Sequence, residues 1–335
     1  MTTASRLRLA FAGTPEFALP ALNALAASRH DLVGVLTQPD RPAGRGRVLT
    51  ASPVKQRALL LGLPVSQPER LTTVEQRALL LAWRPELLVV IAYGLILPAV
   101  VLQLPRLGCL NIHASLLPRW RGAAPIARAI LAGDAATGVV IMGLEPTLDT
   151  GPVYAERRVA IGARDTAADL MPQLAALGAD ALLEVIDALT ADAAVAQPQS
   201  VAGVSYAHKL NKEEAVINWN SSADLIARQV RAFNPWPVAE TLLRGERVRI
   251  WRAWAEEAHE AGSAAGAALP TAPSPAHAPA LPGTALGVHA GTLQVRCGAG
   301  VLAIESLQLP GKRAISALDF AHAHALEGLR FGAAA

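Results

Sequence analysis

Asn111 and His113 stand two residues apart in the run Cys109-Leu-Asn-Ile-His-Ala114. Side chains alternate between the faces of a strand, so this spacing puts an amide and an imidazole on one face, roughly 7 Å apart. Side by side, such a pair can polarise a carbonyl and move a proton. Asp149, in Leu148-Asp-Thr-Gly151, follows the next apolar run and could bring a carboxylate to the same end of a sheet. A carboxylate beside an imidazole orients the ring and favours its protonated form. None of the three is a strong nucleophile, so the pattern points to direct transfer rather than a covalent intermediate. Cys109 falls on the Asn111 face without a base of its own and reads as a buried structural thiol. Spacing alone leaves a second reading open, in which the Asn-His pair only caps the loop that follows.

Other chemistries lack their residues. The first apolar run turns through Gly13-Thr-Pro-Glu16, not through Gly-x-Gly-x-x-Gly, which removes the main support for a dinucleotide-binding dehydrogenase. There is no Walker sequence, no paired-cysteine metal site and no Gly-x-Ser-x-Gly elbow. His259 and His277 have no ligand spacing, so no metal is expected.

The elements that must carry these residues follow from periodicity. Short β-rich runs near 8–12, 32–37, 87–92, 109–114 and 138–144 alternate with helical patterns near 16–28, 53–61, 72–83 and 124–132. This order predicts an α/β unit, a Rossmann-like, doubly wound and mostly parallel sheet with ligand sites at the strand C-termini. A long amphipathic helix over about 167–189 closes it. The uncharged stretch Leu87–Pro105 is long enough to suggest a membrane span. Tyr93-Gly94, Pro98 and Gln103 interrupt it, so it reads as a buried strand, a turn and a short helix.

Length and composition agree. A chain of 335 residues, 52% hydrophobic and 17% charged, has apolar surface enough for two domains. Two cysteines cannot form a disulfide framework, and the N-terminus lacks a signal-peptide order, so a cytoplasmic protein is expected. The boundaries expected are 1–190 for the first domain, 191–207 for a linker and 208–335 for the second. In the second, period-two runs at 215–219, 239–244, 248–252, 287–290, 293–297 and 302–307, most of them preceded by a helix at 222–233, predict a small antiparallel β-barrel, OB-like. The Ala/Pro/Gly/Ser-rich stretch 256–282 cannot pack a core and reads as a disordered insertion.

Charge is distributed unevenly. The net value is only +3, yet no acid occurs between Asp40 and Glu69 or between Glu86 and Asp134, and both spans hold several arginines. Such acid-free basic stretches suit an anionic ligand.

The string Asn111-Ile-His-Ala-Ser-Leu-Leu-Pro-Arg-Trp-Arg-Gly122 closely resembles the signature of the folate-dependent formyltransferases. So do Phe11-Ala-Gly-Thr-Pro-Glu-Phe17, Thr37-Gln-Pro-Asp-Arg-Pro-Ala-Gly-Arg-Gly46 and Ser205-Tyr-Ala-His-Lys-Leu-Asn-Lys-Glu213, and the likeness covers nearly all of the chain outside 256–282. The resemblance implies a transferase that moves the formyl group of 10-formyltetrahydrofolate, without metal. Asn111, His113 and Asp149 would be its catalytic positions and Ser115, Leu116, Leu117 and Pro118 its folate-binding segment. The arginine-rich loop and second domain resemble family members acting on initiator methionyl-tRNA in translation initiation. The α-amine would attack the formyl carbon directly, Asn111 and His113 would donate to the resulting oxyanion, and Asp149 would hold His113. Arg41, Arg45 and Arg47 on a Pro/Gly-flanked loop, with Lys209 and Lys212, would contact tRNA phosphates. The protein is expected to act as a monomer. A relative acting on a sugar nucleotide or purine precursor would share the Asn, His and Asp set without needing the arginine-rich loop, and a non-catalytic RNA-binding protein would not need the set at all. In one place the chain departs from the family pattern, carrying Thr147 where a glycine is usual.

Overall fold

The computed structural model describes residues 6–43, 46–256 and 280–332. The chain divides into two compact units: Met1–Ile126, Ala135–Ala160 and Asp169–Lys209 form the first, and Ala127–Asp134, Ile161–Ala168 and Leu210–Ala335 the second.

The first unit is built on a seven-stranded sheet. Its order is Val153–Ala160, Ala136–Gly143, Cys109–His113, Leu87–Ile91, Arg8–Gly13, Asp31–Leu36, Val65–Ser66. From Cys109–His113 to the far edge all neighbours run parallel, while Ala136–Gly143 is antiparallel to both of its own. Every residue of Leu87–Ile91 and of Cys109–His113 is buried, as expected of central parallel strands covered on both faces. The mostly parallel sheet is therefore as expected from periodicity, and Leu87–Pro105 divides into the strand Leu87–Ile91 and the helix Ala99–Leu102. The strand Val153–Ala160 escapes a periodicity reading for a physical reason. It is a sheet edge bearing Glu156, Arg157 and Arg158, the charged sequence by which edges avoid further pairing.

The long helix Ala167–Thr190 approaches the central strands closely. At Gly178 an added Cβ would lie 2.6 Å from Ile112 Cγ2, so only hydrogen fits between this helix and the residue separating Asn111 from His113. Residues 191–207 lose all periodicity, yet they belong to the first unit and are bonded to it. Gln197 exchanges backbone hydrogen bonds of 2.8 Å with Val153, and Tyr206–Ala207 pairs in parallel with Arg121–Gly122. The segment read as a linker is thus also a strap across the first unit.

The second unit packs the helix Ala223–Ala232, capped by the Ser222 hydroxyl, against a six-stranded antiparallel sheet. The order is Ala239–Leu243, Glu246–Ala255, Val301–Gln308, Thr292–Arg296, Ala285–His289, with Ala314–Ser316 also paired to Val301–Gln308. Ile226, Val230, Val248, Ile250, Val295, Ile304 and Phe320 lie in one core. Residues 329–332 bond at both ends of the strand order: Ala285 N donates to Leu329 O, and Gly332 N donates to Leu242 O, each at 2.8 Å. One expected strand is absent. Residues 215–219 follow a short helical turn at Glu213–Ala215 and make a single bridge, Val216 to Glu240. The alternation there reflects two anchors, Ile217 and Trp219, both 5% exposed, rather than a strand. The insertion expected at 256–282 falls, over 257–279, outside the described residues, as do His259 and His277.

Candidate active site

The buried strand Cys109–His113 ends inside the sheet, where Asn111 is paired with Val90 and Met142 and His113 with Val140. Asn111 is 9% and His113 6% exposed. Among the described residues the Asn111 amide has no hydrogen-bond partner, which leaves its N–H groups for a ligand. Cys109, two residues earlier, donates weakly to Leu102 O, and burial pushes its thiol up to about 12. A thiol that resists ionisation is no nucleophile, in keeping with the structural role expected of it.

Beyond His113 the chain turns back on itself. Ser115 Oγ donates to Arg119 O at 2.7 Å, the Leu117–Pro118 peptide is cis, and Trp120 takes a left-handed φ of 65°. This turn aims the Trp120 carbonyl at His113 Nε2, 2.9 Å away. A carbonyl only accepts, so Nε2 carries a proton toward it and Nδ1 is the nitrogen left to face Asp149. The strap holds the turn: Trp120 N donates to Ser205 Oγ at 3.0 Å and Arg121 N to Ser205 O at 2.9 Å.

Asp149 arrives from the loop after Ala136–Gly143, with φ of 50°, a conformation aspartate tolerates better than most residues. Its Oδ2 accepts from Gly122 N at 2.8 Å and stands 3.7 Å from His113 Nδ1. Gly122 must be glycine: its φ is 118°, and a Cβ there would lie 2.8 Å from the Ala207 carbonyl oxygen. Gln199 fastens the Asp149 loop from the other side. Its Nε2 donates to the carbonyls of Asp149 and Gly151, both at 2.8 Å, and its Oε1 accepts from Arg121 Nη2 at 2.6 Å. Thr147 is not in the left-handed region, so this loop needs no glycine there; its hydroxyl meets that of Thr150 instead.

The structure thus brings Asn111, His113 and Asp149 to one strand end. The gap of 3.7 Å between Nδ1 and the carboxylate is wider than a hydrogen bond. Nδ1 is therefore available to exchange a proton with a third group placed beside it. Ser115 is buried and Leu116, Leu117 and Pro118 are half-buried in the turn that follows. Arg41 and Arg47 lie elsewhere, exposed on a hairpin formed by Arg41–Ala43 and Val48–Thr50, while Arg45 lies outside the described residues. Lys209 and Lys212 are both exposed. Among the described residues no cluster of three His, Cys, Asp or Glu side chains could hold a metal, and no helix is long and apolar enough to cross a membrane. Reasoning from the residues missed Trp120, Arg121, Ser205 and Gln199 as supports of the site. Ser205 opens a family-like string and Trp120 and Arg121 sit in another, so those three carried a signal; Gln199 carried none.

A family model described as formyl transferase matches residues 7–186, and one described as formyl transferase, C-terminal domain, matches residues 209–325. The chain is 52% identical over 326 residues to methionyl-tRNA formyltransferase of Methylococcus capsulatus, covering 97% of this chain and 100% of that one. It is 51% identical over 319 residues to methionyl-tRNA formyltransferase of Xanthomonas campestris pv. campestris, covering 95% and 97%. Among solved structures, HypX from Aquifex aeolicus in complex with tetrahydrofolic acid superposes with a TM-score of 0.62 at 17% identity, over 95% of this chain and 47% of that one, which speaks for the fold. Two adjoining family matches across nearly the whole length, over a strand end that carries an amide, an imidazole and a carboxylate, place the sequence: the chain belongs to the formyl transferase family.

Proposed function

We infer that the chain transfers the formyl group of 10-formyltetrahydrofolate to the α-amino group of methionyl-initiator tRNA, giving formylmethionyl-tRNA for translation initiation. Half identity to methionyl-tRNA formyltransferases over essentially the full length of both chains carries this reading. The donor set fits the folate co-substrate, because the buried Asn111 amide has N–H groups with no protein acceptor. When bound, 10-formyltetrahydrofolate supplies an electrophilic formyl carbon.

The chain's own groups then divide the work. The Asn111 amide donates to the oxygen on which negative charge builds, a contact worth about 3–4 kcal/mol for one well-placed donor. With Nε2 engaged by the Trp120 carbonyl, His113 acts through Nδ1, which takes the proton from the attacking amine and returns it to the leaving nitrogen as the formyl C–N bond breaks and tetrahydrofolate departs. Asp149, held by Gly122 and lying beside Nδ1, stabilises the charge on the ring. Ser115 to Pro118 hold the folate, and Arg41, Arg45, Arg47, Lys209 and Lys212 meet the tRNA backbone.

The same reading gives residues 1–190 the chemistry, 191–207 the connection and 208–335 a share of the tRNA. It takes the antiparallel unit as a small OB-like barrel, supported by the bonding of 329–332 to both Ala285 and Leu242. It also takes one copy acting alone in the cytoplasm, a reducing place where the buried free cysteines 109 and 297 stay as thiols. Mixing the protein with 10-formyltetrahydrofolate and, separately, charged initiator tRNA, free methionine and an amino-sugar nucleotide tests it. Formyl transfer to the tRNA alone is expected; transfer to the sugar nucleotide in its place overturns the assignment.

A further inference from the structure

A cavity of about 190 Å³ on the second unit is lined by Arg164, Thr166, Arg231, Arg252, Trp254 and Glu305. Three guanidiniums face one carboxylate there, so the lining is cationic. Arg231 is the best-defined of the three. Its Nη1 donates to the carbonyls of Gly162 and Asp165, at 3.4 and 3.0 Å, while its Nε–H is buried with no partner. Burial, and then the charge of Arg228, holds this guanidinium below the usual arginine range, opposed by Asp165. Arg164 lies over the Trp254 ring, 3.9 Å from its centroid, a contact that fixes the cation without neutralising it. Among the described residues neither Arg164 nor Arg231 has a carboxylate within ion-pair distance.

A buried, charged N–H with no acceptor is costly to keep, and Arg231, which carries one, lines this cavity. We propose that this cavity binds a phosphate group, and that its occupant is a backbone phosphate of the tRNA. The chemistry is specific to a multiply accepting oxyanion: planar guanidinium forks match tetrahedral phosphate oxygens, and three of them line the cavity. The Trp254 face is covered by Arg164, which leaves a cation rather than a stacking surface for a base. Arg164 and Arg252 are exposed, so the rim is open to a large polyanion. Charge economy points the same way. From residue 208 onward the chain has 12 basic and 11 acidic residues, so a cationic surface on this unit has to be gathered locally. This inference rests on tRNA being the substrate.

The test uses the full-length protein carrying Arg164→Ala with Arg252→Ala, two exposed positions whose truncation spares the core. Binding is measured with uncharged initiator tRNA, so it reports on the cavity whether or not formyl transfer occurs. The tRNA Kd is expected to rise about tenfold, the size of a charge-assisted contact. The salt slope of binding is expected to fall by about 0.7–0.9, one phosphate's worth. Folate affinity and turnover at saturating tRNA stay unchanged. Lys312→Ala with Arg313→Ala removes the same charge elsewhere on the unit and should shift Kd less than twofold. Unchanged affinity and slope in the Arg164 and Arg252 variant, or an equal loss in the control, overturns the proposal. A melting temperature raised by millimolar inorganic phosphate and not by chloride, lost in the variant while tRNA binding is untouched, assigns the cavity to free phosphate and overturns the RNA occupant.

Discussion

The two sides of the candidate active site are built by different means. Asn111 and His113 ride on a strand whose every residue is buried, between two neighbours in a sheet. Their positions are set by packing, the most rigid support a small protein has. Asp149 rides on a loop and is held by polar contacts with Gly122 and Gln199, the second of them 50 residues further along. One side should therefore fail when chemistry is removed, and the other when distant hydrogen bonds are cut.

Changes on the strand side are expected to be largest. Asn111→Ala or His113→Ala should lower kcat by about 100-fold or more, with folate affinity within a few-fold, because the lost contact belongs to the transition state. Near-normal turnover with a lowered melting temperature would make the pair a loop cap only. On the loop side, Gly122→Ala should destabilise by about 1–3 kcal/mol, since alanine resists that φ and its methyl meets the Ala207 carbonyl. Gln199→Leu should reduce kcat by about tenfold while sparing the melting temperature more than Gly122→Ala does. Gln199→Glu, which keeps the acceptor for Arg121 but loses the donor to the loop, separates the two bonds; full activity in both variants would show that Asp149 needs no help from the strap. Thr147→Gly should cost only about 0.5–1 kcal/mol, through unfolded-chain entropy, because nothing there requires a left-handed residue.

The smallest effect lies far from the chemistry and only in acid. His30 is buried, and that burial, ahead of the charge of Arg29, holds its pKa below 6.5, with Asp187 opposing. Leu7 N donates to His30 Nδ1 at 3.2 Å, a bond that protonation breaks. The unfolded chain binds the proton more readily, so stability is full above about pH 6.5 and declines as pH falls below it. His30→Gln should flatten that decline in urea titrations; an unaltered pH profile would put the sensitivity elsewhere.

The same division decides what could be read from the sequence. Leu87–Ile91 and Cys109–His113 are apolar enough to announce buried strands, and the Asn-x-His spacing follows from strand geometry once that is known. Val153–Ala160 is a strand by pairing rather than by pattern, because its charges face solvent at an edge. The run 215–219 alternates without a ladder, since Trp219 is anchored from its side chain, Nε1 donating to Thr241 Oγ1 at 2.9 Å. Gln199 lies in a stretch with no period at all, and nothing local marks it, for its partners are remote in sequence. Hydrogen bonds between distant residues leave no periodic trace.

The strap has a consequence for synthesis on the ribosome. Every strand of the first sheet lies before residue 161 and the covering helix ends at Thr190, so a nascent chain of that length already possesses its whole parallel core. Gln199, Ser205 and the pairing of Tyr206–Ala207 with Arg121–Gly122 are still untranslated. Domains fold from the N-terminus as they emerge, so the sheet that carries Asn111 and His113 is shaped before its fastenings exist. The emerging first unit passes through an interval in which its sheet is complete but Asp149 lacks the Gln199 bond, an interval that ends when residues up to about 207 clear the tunnel.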